Sequence, residues 1–155
     1  MDFIPQELYN QIKTIMPISC IDFFIVHENN ILLWRRVRNP YKWERFLPGG
    51  RVLHGEIQQK AAERKLKEET WLITEDIASI RLLGVFDTIF PLEGMITETG
   101  HTINCTYIVS LKNEKDTNKY SLAPDHTEEK RFPIAESQEF HPYINMVISE
   151  YLAQV

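Results

Sequence analysis

Cysteine is nearly missing from this chain: Cys20 and Cys105 are the only two in 155 residues. Each stands alone inside an apolar run, without metal-ligand spacing, so both are read as buried reduced thiols rather than a zinc set or a disulfide frame. Long apolar runs are also missing. No stretch of 18 apolar residues and no leader pattern occurs, which sets the expectation of a cytoplasmic protein with no membrane partner. There is no internal repeat, low-complexity tract or obvious linker. Positive charge is in deficit, with 17 Lys and Arg against 22 Asp and Glu. A net charge of −5 argues against a nucleic-acid partner, because affinity for nucleic acid comes from neutralising phosphates. A phosphorylated ligand would therefore need locally placed arginines and a bound cation. What remains is ordinary globular composition, 43% hydrophobic and 25% charged, on a length that suits one domain over residues 1–155.

The hydrophobic pattern sets the order of elements. Leu8, Ile12 and Ile15 follow helical spacing behind Pro5, predicting a helix over Pro5–Ile15. Ser19–Val26 and Ile31–Val37 are β-branched and aromatic runs separated by Glu28-Asn29-Asn30, so a hairpin is expected. Asn39–Glu44 is a loop, and a helix covers about Ile57–Thr70. Strands are expected over Ile80–Phe90, Thr102–Leu111 and Lys130–Ile134, and a closing helix over His141–Ala153. The segments Pro91–Gly100 and Asn113–Asn118 are loop and turn. Strands mixed with helices predict a layered α/β domain.

Chemistry concentrates in Gly50–Leu72, GRVLHGEIQQKAAERKLKEETWL, behind Phe46-Leu47-Pro48-Gly49. A glycine-rich turn lets the backbone approach an ion or phosphate closely. Late in the helix that follows, Glu68 and Glu69 offer the paired carboxylates a hard dication needs. Arg64 is an i,i+4 partner for Glu68 and is expected to orient it. Lys65 falls between Glu68 and Glu69 on the helix surface, placing an ammonium at the candidate ion site.

This spacing resembles the Nudix box, G-x5-E-x7-R-E-U-x-E-E-x-G-U, where U is a bulky aliphatic residue. Gly50, Glu56, Arg64, Leu66, Glu68, Glu69 and Leu72 match. Lys65 replaces the first Glu of the core and Trp71 replaces the late Gly. The resemblance implies an α/β/α sandwich around a mixed β-sheet, and metal-dependent hydrolysis of a nucleoside diphosphate linked to another moiety. It also implies magnesium, with manganese as an alternative, held by Glu68, Glu69 and the backbone carbonyl of Gly49. A second or third ion is disfavoured by Lys65. Homodimers are common in the family.

Loss of that first Glu is shared with the GDP-mannose mannosyl hydrolase branch. The stretches P-I-S-C-I-D-F from Pro17, L-L-W-R-R from Leu32 and F-L-P-G-G-R from Phe46 are similar to that branch, as are Gly84-Val85-Phe86 and Tyr107. It implies attack at the sugar anomeric carbon, releasing the nucleoside diphosphate. Arg36 and Arg51 would neutralise the diphosphate, Asp22 would contact sugar or base, and Tyr107 would line the substrate site. His126, in the segment A-P-D-H-T-E-E-K-R-F, is the candidate base, with Glu128 and Glu129 as alternatives. Arg45 and His54 flank the glycine turn, and Trp43, Tyr41 and Phe90 are candidates for stacking a base. Two other readings stay open: a pyrophosphohydrolase of nucleotide sugars or nucleoside triphosphates that attacks phosphorus, and a nucleotide-binding sensor weakened at Lys65 and Trp71.

Overall fold

The computed structural model describes residues 4–70, 72, 74–92, 99–112 and 126–155. Trp71, most of the Pro91–Gly100 and Asn113–Asn118 segments, and the side chains of His126, Glu128 and Glu129 lie outside what is described. Helix α1 (Gln6–Ile15) leads into β1 (Ile18–His27) and β2 (Asn30–Arg36), followed by the short strands β3 (Arg45–Phe46) and β4 (Gly49–Arg51). Helix α2 (Gln58–Thr70) precedes the long hairpin of β5 (Ile77–Pro91) and β6 (Thr99–Leu111), then β7 (His126–Pro133) and α3 (Pro142–Ala153).

The sheet is mixed. Its main path runs β3-β2-β1-β6-β5, with β4 paired to β1 and β7 to β2. Strands β1 and β6 are parallel neighbours from Ile18↔Thr102 to Val26↔Ser110. Every residue of β1 from Cys20 to Val26 is buried, as expected of a central strand covered on both faces. Alternation divides it. Phe24 and Val26 join a core with Tyr143, Ile144, Val147 and Ile148 of α3. Ile21, Phe23 and Ile25 join another with Ala61, Ala62 and Leu66 of α2. Helix α3 therefore covers one face and α2 the other, which is the expected α/β/α sandwich.

The predicted hairpin is present, and its two-residue turn carries φ of 46° at Glu28 and 62° at Asn29, the left-handed pair that matches strand twist. Yet β1 and β2 pair only at Val26↔Ile31 and His27↔Asn30 before they splay apart. Residues 45–51 wedge into the gap. Phe46 pairs with Trp34 on β2, while Gly49, Gly50 and Arg51 pair with Asp22, Ile21 and Cys20 on β1. The sequence pattern missed these two short strands because neither carries an alternating run; only the gap between β1 and β2 makes them strands. It also placed the start of the last strand too late, at Lys130, because the polar residues from His126 onward are strand only through pairing with β2.

Candidate active site

The wedge brings the glycine turn onto Asp22. A Cβ at Gly49 would collide with the carbonyl oxygen of Ile21 and with Asp22 Oδ1, so only glycine fits this strand pair. Asp22 is 8% exposed and accepts a 2.5 Å hydrogen bond from the Tyr143 hydroxyl of α3. That hydroxyl also lies 3.1 Å from Thr106 Oγ1, on the strand beside β1. Burial pushes the Asp22 carboxyl up to about 6, against the lowering effects of the Tyr143 bond and of the Arg36 charge, while Glu69 raises it further. Tyr143 is raised far above its ordinary value, first by burial and then by the Asp22 charge. Asp22, Arg36 and Glu69 thus share one electrostatic environment although they come from β1, β2 and α2.

Helix α2 supplies the charged array. It buries Ala61, Ala62, Leu66 and Thr70 against the sheet, which turns Arg64, Lys65, Glu68 and Glu69 toward the glycine turn. Arg64 grips Glu56 with two bonds, Nε to Oε1 and Nη2 to Oε2, each 2.8 Å. The same guanidinium donates to the backbone carbonyl of Arg51 at 3.1 Å and to Glu68 Oε2 at 3.1 Å. One planar fork therefore fixes the loop start, the turn and the expected i,i+4 partner together. Glu56 also accepts from the Leu53 amide at 3.1 Å. The Arg64 bonds hold its carboxyl down at about 2. The Arg64–Glu68 pairing was legible in the spacing. Glu56 as the main partner was visible in register but carried no assigned role, because it lies eight positions before Arg64 and outside α2, beyond the reach of i,i+4 spacing.

Lys65 lies where helix geometry places it. Its ammonium is 2.9 Å from Glu69 Oε1 and 3.2 Å from Glu68 Oε2, with a side chain only 17% exposed. A Cβ at Gly50 would run into the Lys65 stem, so this glycine gives the side chain its berth. Among the described residues, no cluster of three or more His, Cys, Asp and Glu side chains is arranged to hold a metal ion. Two carboxylates that already converge on a cation are nevertheless a fitting donor set for magnesium, which takes one or two carboxylates and completes its shell with water and substrate phosphate.

The remaining candidates separate. Arg36 donates to the Pro40 carbonyl at 2.8 Å and sits over the Phe46 ring, so it braces the 39–44 loop while facing Asp22. His126 is the register partner of Arg36 across β2 and β7, which brings its backbone to this corner. The Arg51 guanidinium lies 4.1 Å from the centre of the Tyr9 ring, tying α1 to the turn. Alternation turns Tyr107 away from Thr106 to the α2 side, where it packs against that core. Tyr41 stacks on Phe46 at 5.1 Å and meets Phe90 edge-on at 5.9 Å, so both rings are used in packing. Trp43 stays 56% exposed beneath the Arg35 guanidinium. Cys20 and Cys105 are free and buried, as read. Tyr143 and Thr106 were missed altogether: Tyr143 lies 121 residues from Asp22, and no local pattern links them.

The NUDIX domain family matches residues 17–148, and the chain belongs to the Nudix hydrolase family. An ADP-ribose pyrophosphatase of Methanocaldococcus jannaschii is 43% identical over 95 residues, covering 61% of this chain and 52% of that protein. The match therefore spans about half of that relative's length. The low-salt glycan biosynthesis protein Agl8 of Haloferax volcanii is 28% identical over 145 residues, covering 91% of this chain and 86% of its own. Among solved structures, a MutT Nudix hydrolase from Burkholderia pseudomallei superposes with a TM-score of 0.69 at 23% identity, over 87% of this chain and 98% of that one. The Nudix domain of Shewanella oneidensis NrtR, crystallised with ADP ribose, gives 0.65 at 17% identity over 90% and 88% of the two chains. These two likenesses speak for the fold.

Proposed function

We propose that this Nudix domain is a magnesium-dependent hydrolase of a nucleoside diphosphate sugar, splitting a GDP-hexose with water into GDP and the free hexose. The observation that carries the reading is that Glu68 and Glu69 lie close enough beside the glycine turn to share one ammonium, that of Lys65, with Glu69 and Arg36 both acting on buried Asp22. When bound, a dication held by Glu68, Glu69 and the Gly49 carbonyl would neutralise charge on the departing diphosphate. Arg64 positions Glu68 and the Arg51 carbonyl. Arg36 and Arg51 face the diphosphate, and Asp22 takes a sugar or base hydroxyl. Tyr107, which packs against the α2-side core, is assigned to the substrate side. His126 accepts the proton of the attacking water, the new bond forms from that oxygen to the anomeric carbon, and the bond from that carbon to the β-phosphate oxygen breaks. Agl8, named for glycan biosynthesis, is consistent with a nucleotide-sugar substrate. A cytoplasmic setting and a homodimer belong to the same proposal.

A specific observation favours a second reading. The M. jannaschii relative is named as an ADP-ribose pyrophosphatase, whose name denotes cleavage of the diphosphate itself. A panel of GDP-, ADP- and UDP-sugars including ADP-ribose, run with magnesium in oxygen-18 water, separates the two. Label in free sugar supports attack at carbon; label in a phosphate product supports attack at phosphorus. Nucleotide binding with no metal-dependent product from any member of the panel would overturn both and leave a sensor.

A further inference from the structure

The carboxylates around the ion position are already met by cations. Arg64 grips Glu56 with two 2.8 Å bonds and reaches Glu68 at 3.1 Å, and Lys65 meets Glu68 and Glu69. Lys65 touches both of the paired carboxylates, Glu69 at 2.9 Å and Glu68 at 3.2 Å. It is held there by position: its stem runs against Gly50, and its side chain is largely buried. Part of the charge that the two acidic groups present to a dication is thus answered by a cation that cannot diffuse away. The substrate's diphosphate adds negative charge and oxygen ligands to the same place.

We propose that Lys65 is a tethered cation that sets how metal enters the site: one dication binds, and it binds tightly only together with the diphosphate of the nucleotide. Lys65 takes the place a further ion would otherwise fill, and the nucleotide supplies the charge that the protein alone lacks. It acts through Glu68 and Glu69 and is a positioning residue. The proposal rests on Glu68 and Glu69 being the metal ligands, as in the reading above.

The test counts ions on the whole protein, with manganese as probe, by titration calorimetry and by the electron paramagnetic resonance of free manganese. Each titration is run without nucleotide and with GDP or ADP, neither of which contains the sugar bond to be cleaved. In the wild type, one ion is expected, bound at least about tenfold more tightly with the nucleoside diphosphate than without. Lys65→Met keeps the stem and removes the charge; it should tighten nucleotide-free binding and shrink that ratio by about tenfold. Lys65→Glu should add at least one ion in the absence of nucleotide. Circular dichroism of each variant establishes folding, and the methionine variant remains informative if the glutamate variant misfolds. Two or more tight ions on the nucleotide-free wild type, or unchanged manganese affinity and count in a folded Lys65→Met, would overturn the proposal while leaving a metal-dependent hydrolase intact. Failure of Glu68→Gln and Glu69→Gln to weaken manganese binding would instead remove the metal site on which both rest.

Discussion

Arg64 and Glu56, eight residues apart, meet through two parallel 2.8 Å bonds that close the glycine turn against the start of α2. The pair is mostly shielded, with 23% and 14% of the side chains exposed. Arg64→Ala leaves Glu56 poorly partnered and frees the Arg51 carbonyl, and should cost about 1–3 kcal/mol in urea denaturation. Arg64→Lys should recover little of this, because a single ammonium cannot reproduce the fork. Full recovery by lysine would show that charge alone, without the geometry, holds the turn.

Tyr143 carries the sheet-to-helix link beneath the turn. Tyr143→Phe keeps the ring in the α3-side core but removes the donor to Asp22 and the contact with Thr106. Stability should fall by about 1–2 kcal/mol. Because the lost bond favours the charged carboxylate, the Asp22 pKa should rise further, as read by carbon-13 NMR of the carboxyl group.

The Asp22 carboxyl has a definite pH signature in the metal-free protein. Its folded value is pushed up to about 6 from an ordinary 3.8. The folded state therefore binds the proton more tightly, so this group favours folding below 3.8 and loses that contribution as pH rises through about 6. Asp22→Asn should abolish this loss and stabilise the chelator-treated protein at neutral pH by about 1–3 kcal/mol. Glu56 acts in the opposite sense. Held down at about 2 against an ordinary 4.5, it stabilises the fold above 4.5 and gives that up as pH falls toward 2. Comparing wild type with Asp22→Asn across both windows separates the two. An unchanged difference between pH values above and below the Asp22 window would show that Asp22 titrates normally.

Glu69→Gln removes one proposed metal ligand while leaving a side chain of the same shape beside Lys65. Turnover of the nucleotide sugar should drop by at least about a hundredfold, with thermal stability little changed. Retained turnover would move the metal elsewhere.

His126→Ala tests the base. The pH dependence of kcat should lose its rise near neutrality. A wild-type profile would pass the role to Glu128 or Glu129.

Much of this protein was already legible along the chain, because its strongest signals are local. Helix spacing on α2 put Arg64 beside Glu68 and Lys65 between Glu68 and Glu69 before any packing is considered, and both relationships hold at hydrogen-bond distance. Apolar runs located β1, β2 and β6, where burial needs only a sequence of the right residues, and β-branched and aromatic residues located the edge strand β5, whose Ile80, Leu82, Val85 and Ile89 stay exposed. Packing decided the rest. The splay of β1 from β2 makes strands of Arg45–Phe46 and Gly49–Arg51 and sets Gly49 on Asp22. Closure of α3 brings Tyr143 across 121 residues to that same carboxyl. A buried acid takes its proton affinity from partners on three other elements, α3, β2 and α2, and no stretch of sequence contains them together.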